Sequence, residues 1–423
     1  MTPPDTSEYM GIPIADLAAV MDQRNGNKMD SIYCVYQLKL RSELAPMLKI
    51  NQEINDFCNI PGATVRIQVG QSKPVNKRQY RIEFKLMNVV DQQITKWIDS
   101  YIIVQNDFCS SWNSPLIVVP KRDVTGNIKD WRVCLDPRPL NLLIPSINFP
   151  LPLIRDIFEA LKGSVIFSRI DLKRAFNQFK IHPDDQEYTT FTWRGKQYRF
   201  VGAPFGFKHL PAQFQKVMSE LLGHLPYVLV YIDDIVIFSS SVLLHQEHVE
   251  NILRILNRSN LRVNPDKCEF GFREILILGY NISPEGIRVC KDKLLQINAW
   301  KRPTTGKQIQ KHLGFFNYFR EMIPKYSSIV APLEKLRYVE KFPWSPELEA
   351  VYVKVKDILA SELILSYPDF AQPFEVATDA SDHGIAAVLY QVVNEKTQYV
   401  SFASELSALA RRSTVPQNEN YWR

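Results

Sequence analysis

The chain of 423 residues contains no apolar run of about 18 residues free of charge, so a membrane-spanning helix is not expected. No basic start followed by an apolar core marks a secretory leader. Its six cysteines (Cys34, Cys58, Cys109, Cys134, Cys268 and Cys290) form no CxxC pair and no metal-ligand spacing. Zinc-site chemistry and a disulfide framework are thereby excluded, and reduced, buried thiols in an intracellular protein are expected. No internal repeat or low-complexity segment is present. Neither charge sign is scarce: 51 Lys and Arg against 45 Asp and Glu leave a net charge of +6, which permits a polyanionic partner without demanding one. Hydrophobic residues at 45% and charged residues at 23% are ordinary for a soluble globular protein. The length allows two to four modules.

Residues 1–64 are weakly patterned and read as a terminus or linker. LMNVVDQQITKWI predicts an amphipathic helix, with Val90, Ile94 and Ile98 spaced by four. LIVV and WRVCL predict a hairpin around a Thr-Gly-Asn loop, and FTWRGKQYRF a second hairpin turning at Arg-Gly. PAQFQKVMSELLG predicts a helix opened by Pro211 and stopped by Gly223. His245 and His248 have the spacing of helical zinc ligands, but no Cys or acidic partner is placed to complete a site. Helix packing or a solvated face is expected there instead.

The stretch PYVLVYIDDIVIFSSS, residues 226–241, carries two carboxylates, Asp233 and Asp234, in an otherwise apolar run. Burying unpaired carboxylates costs several kcal/mol. Two solutions exist: a plain hairpin turn, where Asp is comfortable, or a cation that compensates the pair. A third carboxylate, Asp171 in SRIDLKRAF, ends another β-rich run. If the two elements pair side by side, three hard oxygen ligands meet, as Mg²⁺ prefers. Two such ions suit phosphoryl or nucleotidyl transfer.

Six ordered blocks carry a resemblance: SWNSPLIVVPKRD, WRVCLDPRPLN, IDLKRAFNQFKI, FVGAPFGFKHLPAQFQKVM, YIDDIVIF and LGYNISPEGI. Over roughly residues 65–423 the chain resembles the reverse transcriptases of gypsy-type long-terminal-repeat retrotransposon polyproteins. The resemblance implies an α+β right-hand polymerase fold followed by an incomplete RNase H-like α/β unit. Residues 65–290 would form fingers and palm, 291–342 a helical thumb and connection, and 343–423 the truncated RNase H-like part. It implies that Asp171, Asp233 and Asp234 bind two Mg²⁺ ions, with Mn²⁺ as a substitute. Lys121 and Arg132 would hold the triphosphate. Phe176 would exclude a 2′-hydroxyl, and Phe205 and Gly206 would line the nucleotide. Leu278, Gly279 and Tyr280 would grip the primer terminus. The implied partners are an RNA or DNA primer–template, an RNA–DNA hybrid and deoxynucleoside triphosphates, with no membrane; a dimer is left open. The implied place is a cytoplasmic retrotransposon particle, with the nucleus left open and secretion excluded.

FEVATDASDHG resembles the first strand of an RNase H domain, with Asp379 as a metal ligand and Glu419 matched by position alone. The segment RRSTVPQNEN departs from the family pattern, and the later acidic ligands are not in the chain, so no RNase H activity is expected. Two other readings stand beside the polymerase. One is a silent remnant that binds primer–template or a protein. The other is an RNA-directed RNA polymerase, which Phe176 argues against.

Overall fold

The computed structural model describes residues 10–23, 29–123, 126–361, 363–381 and 384–406. The chain divides into two compact units, Met1–Ile275 and Leu276–Arg423.

The first unit opens with helices α1 (Ile14–Gln23), α2 (Met29–Gln52) and α3 (Phe84–Asp99). Strand β1 (Ile103–Gln105) precedes a hairpin of β2 (Leu116–Arg122) and β3 (Ile128–Leu135). Short helices α4 (Arg138–Asn141) and α5 (Ile154–Ala160) lead to β4 (Ile166–Asp171). Then come β5 (Phe191–Trp193), β6 (Lys196–Phe200), α6 (Leu210–Leu222), β7 (Val228–Tyr231) and β8 (Asp234–Ser239). Helix α7 (Val242–Arg258) and strand β9 (Glu269–Phe272) close it. The central sheet has the order β7-β8-β4-β9, and a second sheet the order β1-β6-β5. Helix α7 packs on β4 and β8, and α6 on β7. Strand β8 is buried over five consecutive residues, so it shows a continuous apolar run rather than alternation. Ile166, Phe167, Ile170, Ile235 and Ile237 are fully buried. Each such side chain stabilises the fold by about 1.5–3 kcal/mol.

In the second unit, β10 (Ile275–Ile277) begins at the boundary and pairs with β11 (Tyr280–Ser283), which turns back into β12 (Gly286–Val289). Helices α8 (Lys291–Asn298), α9 (Gly306–Tyr318), α10 (Tyr326–Glu334) and α11 (Pro346–Ala360) follow. An antiparallel sheet of β13 (Glu375–Ser381), β14 (Gly384–Val393) and β15 (Lys396–Leu406) ends the described part. The hairpin carrying Leu278–Tyr280 thus belongs to this unit and not to the first.

The expectation of a patternless residue 1–64 segment is corrected. Ile32, Tyr36, Leu40, Leu44 and Leu48 recur every four residues and bury one face of α2 in the first unit's core. Pro46 within the helix and the loop-like flanks hide this periodicity. Polar contacts then lock the layer down. The Asp22 carboxylate accepts hydrogen bonds from Val242 N–H at 2.8 Å and from the Ser241 hydroxyl at 2.8 Å, so it caps α7 from another helix. Asn51, buried on α2, donates to Leu261 O at 2.9 Å and accepts from Val263 N–H at 2.7 Å. The cysteines also differ from expectation: all six are free, but only Cys268 and Cys290 are buried, and Cys109 is exposed.

The two histidines of α7 serve packing. His245 is fully buried, with Nε2 2.7 Å from Ser168 Oγ and Nδ1 2.8 Å from Ser239 Oγ. His248 Nδ1 meets the same Ser239 Oγ at 2.8 Å, and its ring stacks on Tyr227 at 3.7 Å. Burial, helped by the neighbouring His248, pushes the His245 pKa down to about 3. The unfolded chain therefore takes up a proton near the ordinary value of 6.5 that the folded chain refuses until about 3. Stability falls as pH drops through that window.

The turn between β7 and β8 consists of Ile232 and Asp233, with Asp234 already the first residue of β8. The turn is thus one residue earlier than an Asp-Asp turn. Ile232 has φ +53°, a left-handed conformation that is costly for a β-branched residue. Gln215 of α6 holds it: its Oε1 accepts from Ile232 N–H at 2.6 Å and its Nε2 donates to Val230 O at 3.0 Å.

Two outcomes follow for the first unit's urea transition. The stability gap between wild type and His245→Asn should shrink by about 2 kcal/mol between pH 7 and pH 5, because only the wild type carries the penalty; a pH-independent gap would sink this assignment. Gln215→Leu should cost about 1–3 kcal/mol by stranding two backbone groups. A neutral result there would mean that the turn holds itself.

Candidate active site

Strand register brings the carboxylates together. Asp171, the last residue of β4, is the direct partner of Asp234 on β8, and Tyr231 of β7 faces Asp234 from the other side. Asp233, exposed in the turn, lines the same cavity of about 340 Å³ as Asp171. Asp234 is half-buried. Its pKa is raised by burial, Arg169 opposes the rise, and the charges of Asp233, Asp171 and Glu269 add to it.

Two cations counter this repulsion. Lys267 Nζ stands 3.7 Å from Asp171 Oδ1. Arg169 pairs across β4 and β9 with Glu269, at 3.1 Å and without an aligned hydrogen bond. The backbone around Lys267 is fixed to the site, since Asn264 N–H donates to Asp171 O at 2.8 Å. Among the described residues no three His, Cys, Asp or Glu side chains close into a ready cage for one ion. Asp171 pairs with Lys267. The donor set of hard oxygens with mutually raised repulsion nonetheless fits Mg²⁺.

The β2–β3 hairpin pairs Val119 with Arg132 and Lys121 with Asp130. Lys121 and Arg132 therefore share one hairpin face as diagonal neighbours. Arg132 lines the cavity, and its guanidinium lies over the Phe205 ring at 5.9 Å. Phe205 meets Phe176 edge-on at 5.3 Å, and Phe176 meets Phe214 at 5.3 Å. This aromatic series ties the hairpin to the floor of the cavity. Gly206 has φ +101°, and a Cβ there would come within 2.8 Å of the Pro137 ring. Within the chain its close approach is to Pro137. Asn141 fixes the same loop, donating to Gly206 O at 2.8 Å and accepting from Lys208 N–H at 3.1 Å.

The remaining sequence-predicted residues lie in the second unit. Leu278 and Gly279 form a left-handed turn with φ +51° and +83°. Tyr318 Oη donates to Leu278 O at 2.6 Å, and Tyr280 Oη to Tyr318 O at 2.9 Å. Tyr280 is buried, so its ring braces the turn from inside, while Leu278 and Gly279 are half-buried. Asp379 on β13 is exposed and paired with Lys325 Nζ at 2.5 Å, which holds its carboxyl below the ordinary range. Glu419 lies outside the described residues.

Sequence reasoning missed Lys267, Gln215 and Arg174. Gln215 and Arg174 sit inside the quoted blocks and Lys267 between two of them. Their roles depend on contacts across 17 to 96 residues of chain that no local pattern encodes.

Comparison with known proteins agrees with this geometry. Residues 119–282 match the family described as reverse transcriptase (RNA-dependent DNA polymerase). Residues 344–418 match the RNase H-like domain found in reverse transcriptase. The chain is 31% identical over 325 residues to the Transposon Tf2-3 polyprotein of Schizosaccharomyces pombe, covering 76% of this chain and 24% of that protein. The Tf2-7 polyprotein of the same organism is 30% identical over the same length. The chain therefore spans about a quarter of these relatives' length. The foamy viral protease-reverse transcriptase solved with an RNA/DNA hybrid is 26% identical, with a TM-score of 0.74 over 94% of this chain and 52% of that one. A second structure of that protein, with double-stranded DNA, gives a TM-score of 0.77 over 93% and 68%. With a reverse transcriptase domain followed by an RNase H-like domain, and with retrotransposon polyproteins as relatives, the chain belongs to the gypsy-type retrotransposon reverse transcriptases.

Proposed function

We propose that this chain is the polymerase part of a retrotransposon polyprotein and extends a primer 3′-hydroxyl with deoxynucleotides on an RNA or DNA template. The observation that carries this reading is the register of Asp171 opposite Asp234, with Asp233 in the adjoining turn and Arg132 across the same cavity. The 3′-oxygen attacks the α-phosphorus. A new P–O bond forms, the bond to the β-phosphate oxygen breaks, and pyrophosphate leaves with its charge; the hydroxyl proton passes to solvent. Asp171, Asp233 and Asp234 would hold two Mg²⁺ ions, which supply charge neutralisation at the attacking and leaving oxygens.

The chain's own residues do the rest. Lys121 supplies a point charge and Arg132 a planar fork for the triphosphate, on one hairpin face. Phe176 would serve as the barrier to a 2′-hydroxyl, and its edge contacts with Phe205 and Phe214 support a fixed ring. Leu278 and Gly279 offer a turn for the primer end. Polymerisation is the whole of the activity proposed.

Primer extension with deoxynucleotides and Mg²⁺ tests the reading. Asp233→Asn should lower the rate at least about a hundredfold while the variant melts like wild type. Absence of extension by a folded wild type that binds primer–template would overturn the proposal in favour of a binding remnant. Phe176→Val should raise incorporation of ribonucleotides relative to deoxynucleotides by about tenfold or more. An unchanged ratio would remove Phe176 from sugar selection.

A further inference from the structure

Arg174 and Arg262 are two half-buried cations of the first unit whose placement is not explained above. Arg174 lies three residues beyond Asp171 and lines the same cavity as Asp171, Asp233 and Arg132. Its backbone is left-handed, with φ +52°. Its guanidinium is half-buried and makes one hydrogen bond, NH1 to the neutral Ser100 Oγ at 3.1 Å. Arg262 is also half-buried, and its Nε is shut off from solvent with no hydrogen-bond partner.

The two arginines are held beside each other by the backbone. Arg262 N–H donates to Gln178 Oε1 at 2.6 Å, and its carbonyl accepts from Lys173 N–H at 2.9 Å and from Gln178 Nε2 at 2.9 Å. Among the described residues neither guanidinium forms an ion pair with a carboxylate. Burial disfavours the charge of each, and Arg174 disfavours that of Arg262 further. Half-buried cations are ordinarily paired. Arg174, repelled by the neighbouring Arg262 and at the wall of a cavity that also holds Arg132, describes a place for an anion. Ser100 caps the end of α3, so a cation there has some natural favour, but that contact uses one of five N–H groups.

We propose that Arg174, backed by Arg262, is a further binding subsite for the polyphosphate of the incoming nucleotide, on the palm side of the cavity opposite Arg132. The inference rests on the polymerase reading. The confined cavity favours a triphosphate over the backbone of a duplex, which needs an open groove. Arg174 releases Ser100 and turns its fork onto phosphate oxygens; Arg262 contributes its field.

The test compares wild type with Arg174→Gln, Arg262→Gln and Ser100→Ala in the full chain. Three quantities are read: affinity for inorganic tripolyphosphate by calorimetry, KM and kcat for deoxynucleotides, and Kd for primer–template. Arg174→Gln should weaken tripolyphosphate binding and raise KM by about tenfold, with kcat and primer–template Kd changed less than twofold. Arg174→Lys should recover part of the loss. Ser100→Ala, which frees the guanidinium without removing it, should leave KM within twofold. Unchanged tripolyphosphate affinity in both arginine variants would overturn the proposal, and so would a loss confined to primer–template Kd, which would assign the arginines to the nucleic-acid backbone. Tripolyphosphate binding decides the matter even if the wild type proves unable to extend a primer, so the two readings fail separately.

Discussion

Asp171 and Asp234 face each other at the ends of two strands whose remaining residues are almost wholly buried, and holding those carboxylates side by side shapes much of what surrounds them. Each would be cheaper in water, and their proximity raises the cost. The structure answers with Lys267 beside Asp171 and with Arg169 near Asp234. It also answers with rigidity. The β4–β8 register is locked by a continuous apolar core, so the charges cannot drift apart by slipping one residue without exchanging the side chains packed on both faces of the sheet. Repulsion that the fold does not let relax is a standing affinity for cations.

The same rigidity extends beneath the sheet. Ser168 sits on β4 three residues before Asp171, and Ser239 ends β8; both bond to the His245 ring on α7. Gly271 N–H on β9 donates to Ser168 Oγ at 2.9 Å, so three strands and a helix share one buried polar cluster. Such a cluster fixes relative strand positions more sharply than apolar contact alone, because every member loses a partner if one moves. On the other edge, Gln215 fixes the turn that carries Asp233.

Much of this was legible in the chain, for identifiable reasons. The Asp pair inside an apolar run is a local anomaly with a local energetic cost, so it announces itself. Hairpins β2–β3 and β5–β6 carry their turn residues with them, and α3 and α6 carry their apolar periodicity. What stayed hidden depends on distance. Lys267 reads as one more surface lysine until Asn264 is seen bonded to Asp171. Tyr280 reads as part of an exposed grip until its ring is found packed on Tyr318 and Phe319. Helix α2 had the right spacing, yet Pro46 and its polar flanks made a linker the simpler reading. Ser241, just before α7, is the local N-cap and accepts from Leu243 N–H at 3.2 Å, but the second cap supplied by Asp22 could not be read from local sequence.

That cap has a consequence in time rather than in space. Asp22 and the Val242 N–H it caps are 220 residues apart. A ribosome adding about 5–20 residues per second takes roughly 10–45 s to cover that interval. Through it, the buried faces of α1 and α2 have been made but their partners have not. The central sheet is in the same position, since β4 waits for β8 and β9. A chain built this way cannot lay down its first unit piece by piece from the N-terminus. It completes that unit late, through contacts of high sequence separation, and such topologies fold slowly and leave apolar surface uncovered on the way. The helices that end up fastening the palm are, during synthesis, the segment most in need of protection.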